Sequence, residues 1–173
     1  MKTHQSVLIA TWILLTSIFS VKTSLSQDYR TGIGLRLGGL HSGLSIRHNT
    51  GSATALEGIL GFGYRSSFIT GLYEINRTIS STPGMKWYYG AGAHLGMFQH
   101  KGTYWYFRDR GRNVYVVEPG HTVIIPGVDF ILGLEYKFNN APFTLGLDIK
   151  PFIDVHHGLN GYFDGALNFR FVF

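Results

Sequence analysis

The chain has no cysteine. That excludes a disulfide scaffold, an iron–sulfur cluster and a thiolate zinc site. Charge is also scarce: Asp, Glu, Lys and Arg make up 14%, against about 25% in soluble globular proteins. So sparse a set argues against disorder and against nucleic-acid binding, despite a formal net charge of +5. Beyond the first segment, no apolar run approaches the roughly 20 residues that a spanning helix needs. With a mean hydropathy of +0.07, the chain does not read as a helical membrane protein. What is abundant is glycine, 23 of 173 residues, and aromatics at 15%. The glycine share is near double the usual value of about 7%. The length suits one domain, and the composition suits a β-rich chain that does not sit wholly in water.

Residues 1–26 read as a secretory signal peptide. Lys2 supplies the basic start, 7–19 the apolar stretch, and Ser24 and Ser26 the small residues at the −3 and −1 positions of a cleavage site. The expected mature chain is therefore 27–173, with its first residue at Gln27. Eight segments of period-two alternation follow, at 31–38, 42–49, 54–64, 68–79, 86–100, 127–138, 143–155 and 161–173. Turn chemistry separates most of them: Gly38-Gly39, Asn49-Thr50-Gly51, Pro83-Gly84 and Asn139-Asn140. The last segment is the clearest. Phe163, Leu167, Phe169, Phe171 and Phe173 fall on one face, and Asp164, Asn168 and Arg170 on the other.

Alternation alone does not say which face is outside. A soluble barrel or sandwich buries the apolar set, whereas a membrane barrel turns it to lipid. Three features favour lipid. The polar set is rich in glycine, which a narrow interior uses and a wet surface does not. The aromatics Trp87, Tyr89, Tyr136, Phe138, Phe143, Phe171 and Phe173 gather at the rim that carries both termini, as an interfacial girdle would. The chain also ends on an aromatic in the outward register. With its signal, eight short strands and the ending Leu167-Asn168-Phe169-Arg170-Phe171-Val172-Phe173, the chain resembles the small OmpA/OmpX-type outer-membrane β-barrel family. The fold class this resemblance implies is all-β: an eight-stranded antiparallel up-and-down transmembrane β-barrel in the outer membrane of a Gram-negative bacterium. The outer-membrane assembly machinery is then the partner during insertion, with outer-membrane lipid and lipopolysaccharide as surroundings.

In that register Glu57, Glu74, Asp129, Glu135, Asp148, Asp154 and Asp164 point inward, facing Arg36, Arg47, Lys137, Lys150 and Arg170. Charges removed from bulk water must pair or change protonation. The expectation is an ion network that fills the lumen. A proton or ion path is the alternative, disfavoured because eight strands leave no continuous aqueous pore.

The connections at the opposite, extracellular rim are expected at 39–41, 65–67, 101–126 and 156–160. His41, His100, His121, His156 and His157 map near that rim, but their spacing within any one loop does not make a chelate. No metal and no cofactor is expected. A serine hydrolase would draw on Ser42, Ser66 or Ser67 with a rim histidine, and no local signature supports one. The long connection, about 101–126, reads as a β-hairpin. It carries Tyr104, Trp105, Tyr106 and Phe107, then Arg108, Arg110 and Arg112, then Tyr115. Aromatics and arginines are enriched at interface hot spots, and the arginines suit lipopolysaccharide phosphates or an acidic protein partner. The expected function is non-enzymatic: a structural or adhesive barrel acting through this hairpin, with no role for nucleic acid. The alternatives are an outer-membrane lipid-modifying enzyme and an accessory subunit of a larger envelope complex.

Overall fold

The computed structural model describes residues 29–99, 104–109, 112–117, 120, 122–155 and 159–173, with the backbone alone for 104–117. These residues form ten strands: β1 Thr31–Gly38, β2 Ser42–Asn49, β3 Thr54–Gly63, β4 Ser66–Thr78, β5 Met85–Gln99, β6 Tyr104–Asp109, β7 Arg112–Val117, β8 Thr122–Lys137, β9 Phe143–Val155 and β10 Leu159–Val172. Eight of them close into an antiparallel barrel in the order β1-β10-β9-β8-β5-β4-β3-β2. Closure runs from Gly32↔Val172 to Gly38↔Ala166. Every other neighbour in the wall is the next strand in the chain, except that β5 meets β8. Strands β6 and β7 lie between them in sequence and form a two-stranded sheet of their own.

The period of two in the sequence becomes two environments. On β10, Asp164, Ala166, Asn168, Arg170 and Val172 are buried, while Phe163, Leu167 and Phe169 are about half exposed. The same holds round the wall, with Ile33 and Leu35 on β1, Leu132 and Leu134 on β8, and Leu145 and Leu147 on β9 all turned out. The barrel is thus apolar outside and mainly polar inside, where a small apolar cluster of Ile59, Leu72, Tyr88 and Ile131 is also buried. The aromatics at the terminal rim touch in pairs: Trp87 stacks on Tyr89 with centroids 5.3 Å apart, Tyr136 meets Phe138 at 5.1 Å, and Phe143 meets Phe171 at 5.6 Å.

Three boundaries differ from the sequence reading by two residues or more, all at the end away from the termini. β4 begins at Ser66, because Gly63 pairs with Ser66 and Arg65 takes φ 56°, leaving Tyr64 and Arg65 as a two-residue turn. β10 begins at Leu159, which pairs with Val155. β8 begins at Thr122, so the expected 101–126 connection loses its last five residues to the wall. Pro126 hid this extension, since proline normally ends a strand. Here Thr122–Pro126 pairs with β5 only, Pro126 opposite Leu95, and the β8–β9 ladder starts at Gly127↔Asp154. Such an edge position tolerates a residue with no N–H. At Gly92 the backbone needs glycine for space: an added Cβ would meet the carbonyl group of Gly71 and lie 2.9 Å from Leu72 Cα.

Candidate functional site

The polar set converges inside the barrel in three layers. In the layer nearest the termini, Arg170 on β10 reaches Glu57 on β3 at 2.5 Å and Glu135 on β8 at 3.1 Å, and its Nε donates to Ser45 Oγ at 3.0 Å. Arg47 on β2 lies 2.7 Å from Glu74 on β4 and 3.1 Å from Glu135, donates to Asn76 Oδ1 at 2.6 Å, and stands over the Tyr88 ring. Tyr29, just before β1, closes this layer by donating its hydroxyl to Glu135 at 2.7 Å. Burial pushes the Tyr29 phenol up and the Glu135 carboxylate adds to the shift, so the hydroxyl keeps its proton as donor.

In the middle layer, Arg36 Nη1 donates to both oxygens of Asp148, at 2.7 and 2.5 Å, and its Nη2 lies 3.7 Å from Asp164. Tyr88 and Asn168 donate to the same Asp148 at 3.1 and 2.6 Å. In the far layer, His94 sits between two carboxylates. Its Nδ1 is 2.7 Å from Asp129 and its Nε2 3.0 Å from Asp154, and Lys150 Nζ is 2.5 Å from the other oxygen of Asp129. A neutral imidazole has one N–H, so making both contacts as hydrogen bonds takes a second proton within the cluster. Above His94, the rings of Phe68 and Phe152 close the lumen, each with its centroid 5.4 Å from that of the imidazole.

Seven buried carboxylates meet four buried cations, Arg36, Arg47, Lys150 and Arg170. Uncharged donors serve the surplus: Tyr29 for Glu135, Tyr88 and Asn168 for Asp148, and the Leu40 backbone N–H for Asp164 at 2.9 Å. That is how a low-dielectric interior holds charge it cannot fully neutralise by pairing.

The structure brings together eleven of the twelve residues expected in the lumen network. Lys137 is the correction. It lies half-buried at the end of β8 and makes no ion pair among the described residues. Its position at the mouth puts it beyond the last acidic layer, and alternation carries no information on depth. Six further residues complete the network, Tyr29, Ser45, Asn76, Tyr88, His94 and Asn168; the sequence places Tyr88, His94 and Asn168 on the inward face and does not single out Tyr29, Ser45 and Asn76. Five of these share the inward register with the charged residues. Tyr29 precedes the first strand, where no pattern exists to place it.

On the hairpin, Tyr104, Trp105, Tyr106, Phe107 and Arg108 lie on β6, and Arg112 and Tyr115 on β7, with Tyr106 opposite Tyr115. Arg110 lies outside the described residues, as do His100, His121, His156 and His157. His41 turns inward from the β1–β2 connection, its ring centroid 3.9 Å from that of Phe68. Burial holds its imidazole below the ordinary range, with Asp164 partly opposing. Ser42 exchanges hydrogen bonds with the Gly38 backbone. No hydrogen bond joins His41 to Ser42, Ser66 or Ser67 among the described residues. No group of three or more potential ligands is placed to hold a metal ion among them either. Compared with known proteins, the chain matches no family model and no curated protein. The lumen pairs act both across the interior and along the wall: Arg36–Asp148 joins β1 to β9 and Arg170–Glu57 joins β10 to β3, while Lys150–Asp129 joins the adjacent β9 and β8.

Proposed function

We propose that this chain is an outer-membrane barrel whose lumen is a structural plug and whose working part is the hairpin raised at the end away from the termini. The observation that carries this reading is the inverted polarity of the barrel. Large apolar residues such as Leu37, Phe130, Leu147 and Phe163 are exposed at 51–60% of their surface, while eleven charged residues of the wall are buried inside. In water such a surface is far larger than the few hundred Å² of contiguous apolar patch a soluble monomer carries. In a bilayer it is the expected one. The dimensions agree. From Phe163 to Phe173 the outward face of β10 rises about 3.3 Å per residue. At a tilt of about 40° this gives a band near 25 Å, the height of outer-membrane barrel girdles.

Eight strands leave an interior just wide enough for side chains, and here they bridge it in three layers. This supports a non-conducting anchor over a pore. The hairpin β6–β7 is a separate sheet, not a rim of the wall, which suits a presented element. The surface it offers combines aromatic and arginine positions, fit for lipopolysaccharide or a protein partner. The role is adhesive or structural and not catalytic.

The test is fractionation with the outer membrane, then electrophoresis of unboiled and boiled samples. A folded barrel is expected to migrate differently unboiled and to need detergent. A monodisperse refolded monomer free of detergent would overturn the proposal.

A further inference from the structure

Seven of the eight seams of the wall are continuous ladders. The β8–β9 seam is not. It runs from Gly127↔Asp154 to Asp129↔Phe152, stops, and resumes in the same register at Leu132↔Ile149. Phe130 and Ile131 stand opposite Pro151 and Lys150 there without a ladder pair. Proline has no N–H to give. Its β10 side is intact, at Phe163↔Pro151, so the missing bond is the one toward β8. Antiparallel partners exchange hydrogen bonds at alternate pairs. Between the gap and the far rim, Val128↔Ile153 is then the one pair of β8 and β9 that exchanges them.

The same end of β10 is loose on its other side. Its ladder with β1 begins at Gly38↔Ala166, and the last backbone bond runs from the Gly39 N–H to the Gly165 carbonyl at 3.0 Å. From Leu159 to Asp164, β10 has no backbone partner but β9 among the described residues, and the Leu40 N–H reaches the Asp164 side chain instead. Residues 152–155 of β9 and 159–163 of β10 thus form a strand pair tied to the wall by one short stretch of β8. Its inward side chains cover the far lumen layer. Phe152 stands edge-on to His94, and Tyr162 stacks on Phe152 with centroids 5.3 Å apart. Asp154 lies 3.0 Å from His94 Nε2, while Asp129 and Lys150 pair with each other at the level of the gap.

We propose that this strand pair is a flap over the far end of the lumen, hinged along the line from Pro151 to Gly165 and latched by the contact between His94 and Asp154. On that line the β8 ladder is cut on one side, and Gly165, opposite Ile149, takes the last β1 bond on the other. The Lys150–Asp129 pair fastens β9 to β8 at the hinge itself, so it holds the base of the flap in both positions. Lifting the flap breaks one imidazole contact, one exchanged backbone pair and the ring contacts of Phe152. It opens the layer of His94 and Asp129 to water from the far rim and leaves the layer of Arg47 and Arg170 closed. Lids are drawn from segments with so few ties to the rest of the fold. The inference rests on strand pairing and side-chain contacts and is independent of the membrane reading.

Amide hydrogen exchange of the refolded full chain in zwitterionic micelles tests this. Val128 and Ile153 report the flap. Gly71 and Ala93, in the same row of the wall, report a seam with no gap. Protection at Val128 and Ile153 is expected to fall well below that at Gly71 and Ala93. Asp154→Ala is expected to lower it further by about tenfold, the scale of one buried hydrogen bond, with Gly71 and Ala93 unchanged. Pro151→Ala restores an N–H opposite Phe130 and is expected to raise it by about the same factor. That variant and the wild type decide the outcome if Asp154→Ala does not fold. Wild-type protection at Val128 and Ile153 equal to that at Gly71 and Ala93 overturns the flap. So does an Asp154→Ala loss shared equally by all four amides, or a Pro151→Ala variant with no gain.

Discussion

At Arg170 the physics of the lumen is most exposed to test. One guanidinium serves Glu57, Glu135 and Ser45 on three other strands and is fully buried. Removing it strips Glu57 of its ion-pair partner and leaves Glu135 paired with Arg47 alone, and the scale for stranding a buried charge is about 3–5 kcal/mol, less where lumen water screens it. Arg170→Ala is expected to lower the urea midpoint of the folded barrel by that order. An unchanged midpoint would mean that the residue faces solvent. His41 gives a second residue-scale expectation, with a sign. Burial holds its imidazole below the ordinary value near 6.5, so below about pH 6.5 the unfolded chain binds the proton more readily than the folded one. Stability then falls on acidification through that window. The barrel is expected to lose more stability between pH 7 and 5 than His41→Phe does, since a phenyl ring keeps the contact with Phe68 and has no proton to bind. Equal losses in the two proteins would contradict this.

Among the elements, the strand β5 and the hairpin β6–β7 make opposite demands. β5 must pass close to β4 at Gly92, where even a methyl group meets backbone. Gly92→Ala is expected to destabilise the barrel by about 1–3 kcal/mol, the usual scale for overpacking. Gly71→Ala, with nothing within 4 Å of the added carbon, should leave it unchanged. Comparison of the two urea midpoints checks this. The hairpin is dispensable to the wall, because its strands pair only with each other. Deletion of 104–117 with a short glycine link is expected to leave the heat-dependent shift in mobility intact while removing any surface binding the whole protein shows. Binding that survives in the folded deletion would place recognition elsewhere.

The elements also show what a sequence can disclose. β1, β2 and β9 have the bounds that alternation and turn residues indicate, because Gly38-Gly39, Asn49-Thr50-Gly51 and Asn139-Asn140 punctuate them. β8 does not, because Pro126 imitates a strand end. Alternation reveals the face on which Asp148 or Arg36 lies, and hence the composition of the lumen. It does not reveal depth, which is why the sequence groups Lys137 with carboxylates that it does not pair with among the described residues. Nor does it reveal partners: that His94 lies between Asp129 and Asp154 depends on the stagger of β5, β8 and β9 in three dimensions.

For the whole molecule, the central claim is that the apolar face of the wall meets lipid. Leu132→Arg places a cation near the middle of that face, at an expected cost of about 2–4 kcal/mol to the inserted barrel, read as reduced folding into vesicles. The most direct measurement exploits the absence of cysteine from the chain. Single cysteines at each position from 163 to 171 on β10, carrying nitroxide labels in reconstituted vesicles, report access to lipid-soluble oxygen and to a water-soluble nickel chelate. If the barrel spans a bilayer, oxygen access peaks at Phe163, Gly165, Leu167, Phe169 and Phe171 and is low at Asp164, Ala166, Asn168 and Arg170, with chelate access low at the midpoint of the strand. Odd-numbered positions open to the chelate and closed to oxygen would show that water, not lipid, covers the apolar face.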